Sequence, residues 1–444
     1  MIPGMWPYHP DLLARPVPRY TSYPTAMEFT DGVGAAEQGA ALDAVPEDQP
    51  VSLYVHIPFC ESICSYCGCN TGRAGKAQRL QAYLDALRAE IRLVAARLGG
   101  RGKVRRIAFG GGSPNALSPV EFARLLYELT VDFGCGDPVI SVELDPRSLS
   151  ADWHYTLGTC GVSRVSLGVQ TFDPAIQAAI GRVQPRALIV EAVAGLRAHG
   201  VGSINFDLIY GLPGQDRAHL DATLDETIAL RPERIALFGY AHVPHMLPRQ
   251  RLIPAAHLPD QAERFAMAAL GHDRLVAAGY EPVGFDHFAL PHDPLARAAR
   301  DGALRRNFQG FTDDGCDVLI GLGASAISQF PDRLIQNEKN NGRYRERCEA
   351  GRLPGARGVL RDADDRMRAM LIEDLLCAGS ADLSELATPP DAVLLAPFIA
   401  AGLARLEDGL LTILPDGRPY ARSMAALIDR HRMVPAARTF SSAI

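Results

Sequence analysis

From residue 51 onward, short β-rich runs alternate with amphipathic segments of helical period. The runs are rich in Val, Ile and Leu, as expected for strands that are buried on both faces. This alternation predicts parallel strands joined by right-handed crossovers, and six such units, closed or partly closed, form a barrel. Chemistry in a barrel lies at the carboxyl ends of the strands, although the pattern alone also allows an open doubly wound sheet. The predicted strand regions are 52–57, 104–112, 139–146, 164–170, 203–213 and 234–244.

The segments between these runs carry helix signals. Apolar residues between Leu80 and Leu98 recur at alternating spacings of four and three, which places them on one face of a helix. Ser118, Pro119 and Glu121 predict a helix start with a capping box, because the serine and glutamate side chains can each accept a backbone N–H. Such helices fit the crossovers that a parallel sheet requires.

The two ends of the chain differ from this central region. Residues 1–50 are rich in Pro, Gly and acidic residues, which predicts an extended arm and a linker. Near the C-terminus the predicted order is helix, strand, a tight turn at 407–409, strand and helix, which is typical of a winged-helix module. We therefore expect an N-terminal arm and linker (1–50), a barrel domain with extensions (51–350) and a mostly helical, winged-helix-like C-terminal domain (351–444).

Composition narrows the classes of function. The longest apolar runs are interrupted or too short to span a bilayer, and the first residues lack the pattern of a secretory signal. The net charge of −6 and the short basic runs do not favour nucleic-acid binding. Nine cysteines, four of them close together, fit a reducing compartment and one metal loop better than a disulfide framework. We expect a cytoplasmic protein without a membrane or nucleic-acid partner.

A loop of closely spaced cysteines follows the first β run. Cys60, Cys64 and Cys67 have the spacing C-x3-C-x2-C, and Cys69 stands two residues further on. Thiolates suit iron–sulfur clusters or zinc. Three thiolates on a four-iron cluster leave one iron open, which the amino and carboxylate groups of S-adenosylmethionine (SAM) can chelate. The alternative is a four-cysteine zinc knuckle, although the pair at Cys67 and Cys69 is awkward for tetrahedral closure.

Residues at the ends of later runs are further candidates. The glycines at 110–112 let a backbone approach a ligand closely, or form a plain strand-to-helix turn. Glu143 and Asp207 follow apolar runs, where a carboxylate meets an ammonium or a ribose hydroxyl, or else caps a helix or forms an internal ion pair. Gln170 can hydrogen-bond a ligand, or it can be a loop amide that is satisfied within the protein. Arg182 can pair with a carboxylate, or it can be an ordinary surface charge.

Segments along nearly the whole chain resemble one family. The cysteine loop followed by GGGSP is similar to the pattern of radical SAM enzymes, and ten segments resemble the oxygen-independent coproporphyrinogen III oxidase (dehydrogenase) family. They are PRYTSYPT (18–25), SLYVHIPFC (52–60), CGCN (67–70), VELDPR (142–147), SLGVQTF (166–172), NFDLIYGLP (205–213), YAHVP (240–244), DHFA (286–289), RNFQGFT (306–312) and SAIS (325–328). The resemblance implies an α/β fold with a radical SAM partial (β/α)6 TIM-like barrel.

The resemblance also implies roles for matching positions. Cys60, Cys64 and Cys67 would bind a [4Fe–4S] cluster, whereas Cys69 matches a family cysteine that is not a cluster ligand. The positions matching contacts to the SAM that chelates the cluster are Tyr54, Gly111, Glu143 and Ile327. The positions matching contacts to a second SAM are Tyr66, Gly112, Ser113, Gln170, Arg182, Asp207 and Ala241.

The implied reaction is the anaerobic oxidative decarboxylation of two propionates of coproporphyrinogen III to vinyl groups, giving protoporphyrinogen IX in haem biosynthesis. The hydrogen-abstracting radical would come from SAM. By residue type, the candidates for binding the propionates are Arg19, Arg249, Arg305 and Arg306. We expect a monomer that takes electrons from a donor such as flavodoxin or ferredoxin and passes electrons from the substrate to an acceptor that the sequence does not name.

Two alternatives belong to other functional classes. A haem chaperone built on the same barrel has the three-cysteine loop but lacks the cysteine at the Cys69 position and the PRYTSYPT arm, both of which are present here. A non-catalytic zinc-binding protein would use the cysteine loop only as a structural clip. Ser113 stands where the family usually has Thr, and Tyr66 replaces a common Phe; neither change removes the chemistry of the implied site.

Overall fold

The computed structural model describes residues 6–75 and 77–432. In chain order the strands are β1 (Pro50–Ile57), β2 (Phe59–Cys60), β3 (Gly72–Arg73), β4 (Lys103–Gly111), β5 (Val139–Leu144), β6 (Val162–Gln170), β7 (Ser203–Tyr210), β8 (Arg234–Gly239), β9 (Glu281–Val283), β10 (His287–Ala289), β11 (Arg305–Asn307), β12 (Gly310–Thr312), β13 (Val318–Leu322), β14 (Ile327–Phe330), β15 (Arg333–Asn337), β16 (Gly355–Leu360), β17 (Ser380–Asp382), β18 (Ala404–Glu407) and β19 (Leu410–Ile413). The α-helices are α1 (Pro10–Leu13), α2 (Ala35–Asp43), α3 (Ala77–Leu98), α4 (Pro119–Asp132), α5 (Ala151–Thr159), α6 (Pro174–Ala179), α7 (Arg186–Ala198), α8 (Arg217–Leu230), α9 (Gln261–Ala277), α10 (Pro294–Arg300), α11 (Asn341–Glu349), α12 (Ala363–Cys377), α13 (Ala392–Ala400) and α14 (Ala421–Ile428).

A twelve-stranded sheet forms the centre of the protein, in the order β16-β15-β14-β13-β1-β4-β5-β6-β7-β8-β10-β9. Within it, β1, β4, β5, β6, β7 and β8 are neighbours and pair in parallel. These strands correspond to the six predicted runs, so the predicted α/β barrel pattern is confirmed. The run predicted at 203–213 ends earlier, at Tyr210, because Gly211 takes a left-handed φ of 78° and turns the chain.

The sheet continues on both sides of these six strands. β13 pairs in parallel with β1, and β14, β15 and β16 add antiparallel strands at that edge. At the other edge, β10 and β9 pair antiparallel beside β8. Periodicity does not predict these added strands, because each has only three to six residues and too few alternating positions to give a signal.

The predicted helices pack as their sequence patterns require. In α3 the apolar stripe faces the core, with Leu84, Leu87 and Ile91 fully buried. At the start of α4, the Ser118 hydroxyl accepts the Glu121 N–H at 3.2 Å, and the Glu121 carboxylate accepts the Ser118 N–H at 3.1 Å. The predicted capping box is therefore confirmed. Within the described residues, no helix has both the length and the apolar character needed to cross a bilayer.

The C-terminal region contains helices and a small antiparallel sheet of β17, β19 and β18. The turn between β18 and β19 uses left-handed backbone at Asp408 and Gly409, as the predicted tight turn requires. The fold class is thus as predicted, with a helical, winged-helix-like segment after the barrel. The three domain boundaries stay a prediction, and residues 1–5 and 433–444 lie outside the described part of the chain.

The N-terminal arm connects the C-terminal region to the edge of the large sheet. The Tyr20 hydroxyl donates to the Asp429 carboxylate at 3.0 Å, and both side chains are buried. Further along, Thr30 forms an antiparallel β-bridge with Gly358 of β16. The arm is therefore packed against the folded protein at two separate places.

Partly buried ion pairs close the amino-terminal end of the barrel. Arg164 donates to the two carboxylate oxygens of Asp313 at 2.7 and 2.8 Å, and Arg106 donates to the same carboxylate at 3.0 Å. Although burial acts in the opposite direction, these guanidinium groups hold the pKa of Asp313 below its usual range. With this end filled by charged side chains, a ligand enters from the carboxyl ends of the strands.

Candidate active site

The predicted cluster cysteines lie on a loop at the carboxyl end of β1. β2 and β3 pair in parallel and close this loop, and the Ala74 N–H donates to the Cys60 carbonyl at 3.0 Å. The Ser65 N–H donates to the Ile180 carbonyl at 3.0 Å, which attaches the middle of the loop to the end of α6. Backbone hydrogen bonds therefore hold the loop at its closure and at its centre.

The loop sulfurs lie among hydrogen-bond donors. Cys64 Sγ accepts from Arg182 at 3.3 Å and from Arg147 at 3.4 Å. Cys67 Sγ accepts the Cys69 N–H at 3.4 Å, and hydrogen bonding from the Cys69 side chain lowers the pKa of Cys67 to about 6. The same side-chain contact raises the pKa of Cys69. Cys67 is thus stabilised as a thiolate, with Cys69 as its donor.

This donor set fits a [4Fe–4S] cluster. Such clusters are held by thiolates, and donors to the sulfurs tune them. The contact with Cys67 raises the pKa of Cys69, which is consistent with three thiolate ligands and not four. Among residues 6–75 and 77–432, no group of three or more His, Cys, Asp or Glu side chains is gathered closely enough to hold a single metal ion.

Three consecutive glycines let β1, β4 and β5 converge beside the loop. A Cβ atom added at Gly110 would lie 2.6 Å from Glu143 Oε2, and one at Gly111 would lie 2.4 Å from the His56 ring. A Cβ at Gly112 would lie 2.4 Å from a backbone oxygen, and Gly111 also has a φ of 107°. Side chains at these positions would push the strand ends apart, so glycine is required for this approach.

A cavity of about 850 Å³, here called the barrel cavity, opens inside the barrel next to the loop. Its volume falls within the roughly 300–1,000 Å³ of typical ligand sites. Tyr54, Gly111, Glu143 and Ile327, the four positions predicted to contact the cluster-bound SAM, all line it. Asp207, predicted to contact a second SAM, lines it too. The fold thus brings together residues that are distant in sequence.

Two carboxylates face the barrel cavity. Glu143 accepts a hydrogen bond from Gln309 at 3.2 Å, and burial together with the charge of Asp207 raises the pKa of Glu143. Asp207 accepts from Ser166 at 2.9 Å and from Asn205 at 2.8 Å, and burial raises its pKa. Such groups suit a ligand that brings positive charge or hydroxyl donors, because either would compensate the partly buried carboxylates.

His56 connects β1 to the wall of the barrel cavity. Its Nδ1 lies 3.2 Å from the Tyr54 hydroxyl, and its Nε2 lies 3.3 Å from the Asn70 carbonyl and 3.4 Å from Ser325 Oγ. Burial lowers the pKa of His56 to about 4, so the ring is neutral at neutral pH. The neutral ring joins β1, the end of the cysteine loop and the turn before β14.

Two residues predicted for a second SAM are engaged within the protein. The Ser113 hydroxyl accepts the Asp145 N–H at 3.0 Å. Arg182 donates to the Gly168 carbonyl at 2.7 Å and to Asp145 at 3.3 Å, besides its contact with Cys64. In the described structure these side chains join the cysteine loop to the ends of β5 and β6.

The other predicted positions are more scattered. Tyr66 packs against a small apolar cluster that is separate from the main core. Gln170 is buried at the end of β6 with a left-handed φ of 65°. Ala241 lines a small cavity that adjoins the barrel cavity at Phe238. The structure therefore gathers the first predicted SAM set at one cavity and distributes the second set around it.

The four arginines predicted by residue type occupy different environments. Arg305 forms an ion pair with Glu373 at 2.9 Å. Arg306 donates to the carbonyls of Arg19 at 3.0 Å and Tyr20 at 3.2 Å. Arg306 thus holds the N-terminal arm, whereas Arg305 is paired with a carboxylate.

The barrel cavity is also lined by three residues without a predicted role and by Arg249, a predicted propionate-binding candidate. Asn70, His287 and Gln309 line it and belong to the segments CGCN, DHFA and RNFQGFT. Arg249 also lines it and has one buried guanidinium nitrogen without a hydrogen-bond partner. The resemblance marked three of these neighbourhoods, but the direction in which each side chain points depends on the fold.

Comparisons with known proteins show the family to which the chain belongs. Residues 54–227 match the radical SAM superfamily. The chain is 43% identical over 425 residues to oxygen-independent coproporphyrinogen III oxidase of Bradyrhizobium diazoefficiens, covering 94% of each. It is 41% identical over 426 residues to coproporphyrinogen III oxidase, anaerobic 1 of Cereibacter sphaeroides, again covering 94% of each.

A solved structure gives the same result at the level of the fold. Coproporphyrinogen III oxidase from Escherichia coli, a radical SAM enzyme, matches with a TM-score of 0.88 and 36% sequence identity. The match covers 96% of this chain and 100% of that one. The chain therefore belongs to the oxygen-independent coproporphyrinogen III oxidase family of the radical SAM superfamily.

Proposed function

We propose that this chain converts coproporphyrinogen III to protoporphyrinogen IX without oxygen, by oxidative decarboxylation of two propionates to vinyl groups. The observation that carries the proposal is the barrel cavity, which places a cluster-type cysteine loop beside a space of about 850 Å³. The family relatives named for this substrate match over nearly the whole chain. Each propionate loses one hydrogen atom, one carbon dioxide and one electron, which leaves a vinyl group.

Cys60, Cys64 and Cys67 hold a [4Fe–4S] cluster in this proposal. With SAM bound, the cluster supplies a 5′-deoxyadenosyl radical that can take a hydrogen atom from an unactivated carbon. The chain itself contributes a loop fixed by backbone hydrogen bonds and guanidinium groups that stabilise thiolate charge. A structural zinc clip would need a fourth thiolate, whereas the contact with Cys67 raises the pKa of Cys69 and disfavours its thiolate.

Tyr54, Gly111, Glu143 and Ile327 bind the SAM that chelates the cluster. Glu143 offers a partly buried carboxylate to a cationic ligand, and Gly111 lets the His56 ring pack closely against the end of β4. A second SAM is assigned to the remaining set, of which Asp207 lines the barrel cavity. That set is Tyr66, Gly112, Ser113, Gln170, Arg182, Asp207 and Ala241.

The cellular context completes the proposal. We assign the chain to the cytoplasm, because its cysteines suit a reducing compartment. We also assign it as a monomer. A one-electron donor such as flavodoxin or ferredoxin reduces the cluster, and a separate acceptor takes the electron that each propionate releases.

The test is an anaerobic assay of the reconstituted protein with coproporphyrinogen III, SAM and a chemical reductant. We expect 5′-deoxyadenosine and vinyl porphyrin products, both of which are lost in the Cys64→Ala variant. A haem chaperone would bind haem and form no protoporphyrinogen. A zinc protein would retain zinc and contain neither iron nor sulfide after reconstitution. Either result would reject the proposal.

A further inference from the structure

A second, smaller cavity of about 60 Å³ lies at the carboxyl end of β8. We call it the arginine cavity, because it is lined by Arg19 of the N-terminal arm, Arg264 of α9 and Arg422 of α14. Phe238 lines both this cavity and the barrel cavity, so the two are neighbours. Three distant parts of the chain therefore bring guanidinium groups to one place beside the candidate active site.

Two of these guanidinium groups lack protein partners for their charge. Arg264 donates to the Tyr240 carbonyl at 2.8 Å, but its Nε atom is buried without a hydrogen-bond partner. Among the described residues Arg422 forms no hydrogen bond or ion pair, and its guanidinium carbon lies 5.6 Å from the centre of the Phe285 ring. Burial beside Arg19 lowers the pKa of Arg422 to about 10, so it remains charged at neutral pH.

One acidic side chain, Asp286, lines the described part of this cavity. Its carboxylate accepts a hydrogen bond from His287 Nδ1 at 2.6 Å, so part of its negative charge is already compensated within the protein. Three guanidinium groups against one carboxylate leave an excess of positive charge. Buried charge without a partner is costly, and a ligand carboxylate would remove that cost.

We propose that the arginine cavity binds one carboxylate of the tetrapyrrole substrate, on a propionate other than the one that is reacting. This inference rests on the proposed function. The reacting propionate must reach the barrel cavity beside the cysteine loop, on the other side of Phe238. A volume of about 60 Å³ admits a carboxylate arm but no macrocycle. Guanidinium groups match a carboxylate in both charge and geometry.

The consequence is an anchor that orients the macrocycle. Arg19 belongs to the arm, and Arg306 holds the arm by donating to the Arg19 carbonyl. Arg264 and Arg422 come from helices that are packed in the body of the protein. A carboxylate bound here would therefore be held from the arm on one side and from the helices on the other.

The experiment measures equilibrium binding to the reconstituted protein under anaerobic conditions. The ligands are coproporphyrin III, its tetramethyl ester and SAM, and the variants are Arg422→Gln, Arg264→Gln and Arg422→Lys. Arg405→Gln is the control, because Arg405 lies in β18 with a partner carboxylate, Glu407, and is exposed. Circular dichroism shows whether each variant is folded. Because two different arginines are substituted, the test can proceed if one of the variants fails to fold.

We expect Arg422→Gln and Arg264→Gln to weaken coproporphyrin III binding by about 10- to 100-fold, as loss of a charged hydrogen bond predicts. Arg422→Lys should weaken coproporphyrin III binding less than Arg422→Gln does, since lysine keeps the charge but not the bidentate hydrogen-bond geometry. Binding of the ester and of SAM should stay within about twofold of wild type.

Unchanged coproporphyrin III binding in both glutamine variants would overturn the inference. An equal loss for the ester would show that the carboxylate is not what is recognised, and a loss confined to SAM would assign the cavity to the SAM carboxylate instead. The proposed function has a separate readout. If wild type forms vinyl product while the variants bind coproporphyrin III normally, the proposed site is rejected and the proposed function stands. If the variants bind coproporphyrin III more weakly but wild type forms no vinyl product, the site stands and the function is rejected.

Discussion

The Tyr344 hydroxyl donates a hydrogen bond to the Glu90 carboxylate at 2.5 Å, between α11 and α3. Glu90 is fully buried and also accepts the Gly323 N–H at 2.7 Å and the Asn337 amide at 2.7 Å. It thereby fixes the turn that leads from β13 into β14, where Ile327 lines the barrel cavity. A buried carboxylate thus supports the wall of the candidate SAM site from outside.

Glu90 makes stability depend on pH. Burial raises its pKa from 4.5 to about 7. The folded chain therefore keeps a proton that the unfolded chain releases at lower pH, so the free energy of unfolding falls as pH rises from about 4.5 to about 7. The decrease is on the order of 3 kcal/mol. Urea denaturation of wild type and Glu90→Gln at about pH 5 and about pH 8 should show this decrease in wild type only.

The control for this prediction is Glu47→Gln, because Glu47 is exposed. Its unfolding free energy should follow wild type at both pH values. Parallel pH profiles for wild type and Glu90→Gln would show that Glu90 does not change protonation in this range.

Cys64 and Cys348 form a matched pair of buried cysteines, of which only the first lies in the loop. We expect Cys64→Ala to lose the cluster, because two thiolates hold it too weakly, while Cys348→Ala retains it. The measurement is iron and sulfide per chain after anaerobic reconstitution, together with the visible absorption spectrum. Full iron content in Cys64→Ala would remove it from the ligand set.

Asp207 should contribute to SAM binding through its negative charge in the barrel cavity. Asp207→Asn keeps the size of the side chain but removes the charge, so we expect SAM to bind about tenfold more weakly. Asp317→Asn is the control, because Asp317 is exposed and outside the cavity. Equilibrium dialysis with labelled SAM gives the affinity, and equal values for wild type and Asp207→Asn would contradict the assignment.

Arg306 should hold the N-terminal arm in place. It donates to the carbonyls of Arg19 and Tyr20, and its guanidinium carbon lies 4.3 Å from the centre of the Phe311 ring. Arg306→Met removes these donors, so we expect limited proteolysis to cut the arm faster than in wild type. Adjacent Arg305→Met should leave the cutting rate unchanged, since Arg305 pairs with Glu373. Equal rates in all three proteins would show that the arm is held by other contacts.

The parallel core of the fold could be predicted because its signals are local. Apolar runs marked the six parallel strands, and a capping box at Ser118 and Glu121 marked the start of α4. The strands at both edges of the sheet could not be predicted in this way. They are short, and β13 lies beside β1 although 260 residues separate their ends, from Ile57 to Val318.

Part of the candidate site could also be predicted from the sequence, and part could not. The cysteine spacing and the family segments are properties of the sequence, and they led to the chemistry and to the residues around the barrel cavity. The engagement of Arg182 with Cys64 and the pairing of Arg305 with Glu373 could not be read from residue type. Whether an arginine is free or paired depends on which carboxylates the fold brings near it.

The sequence by itself determined the alternating strands and helices, the three-thiol loop after β1 and the family, because each is encoded in the order and spacing of neighbouring residues. Only the tertiary structure decided which side chains share a cavity, which carboxylates lose their water, and where Arg19, Arg264 and Arg422 meet. The reason is physical: burial and charge pairing arise between groups far apart in the chain, and distance along the sequence does not measure distance in space.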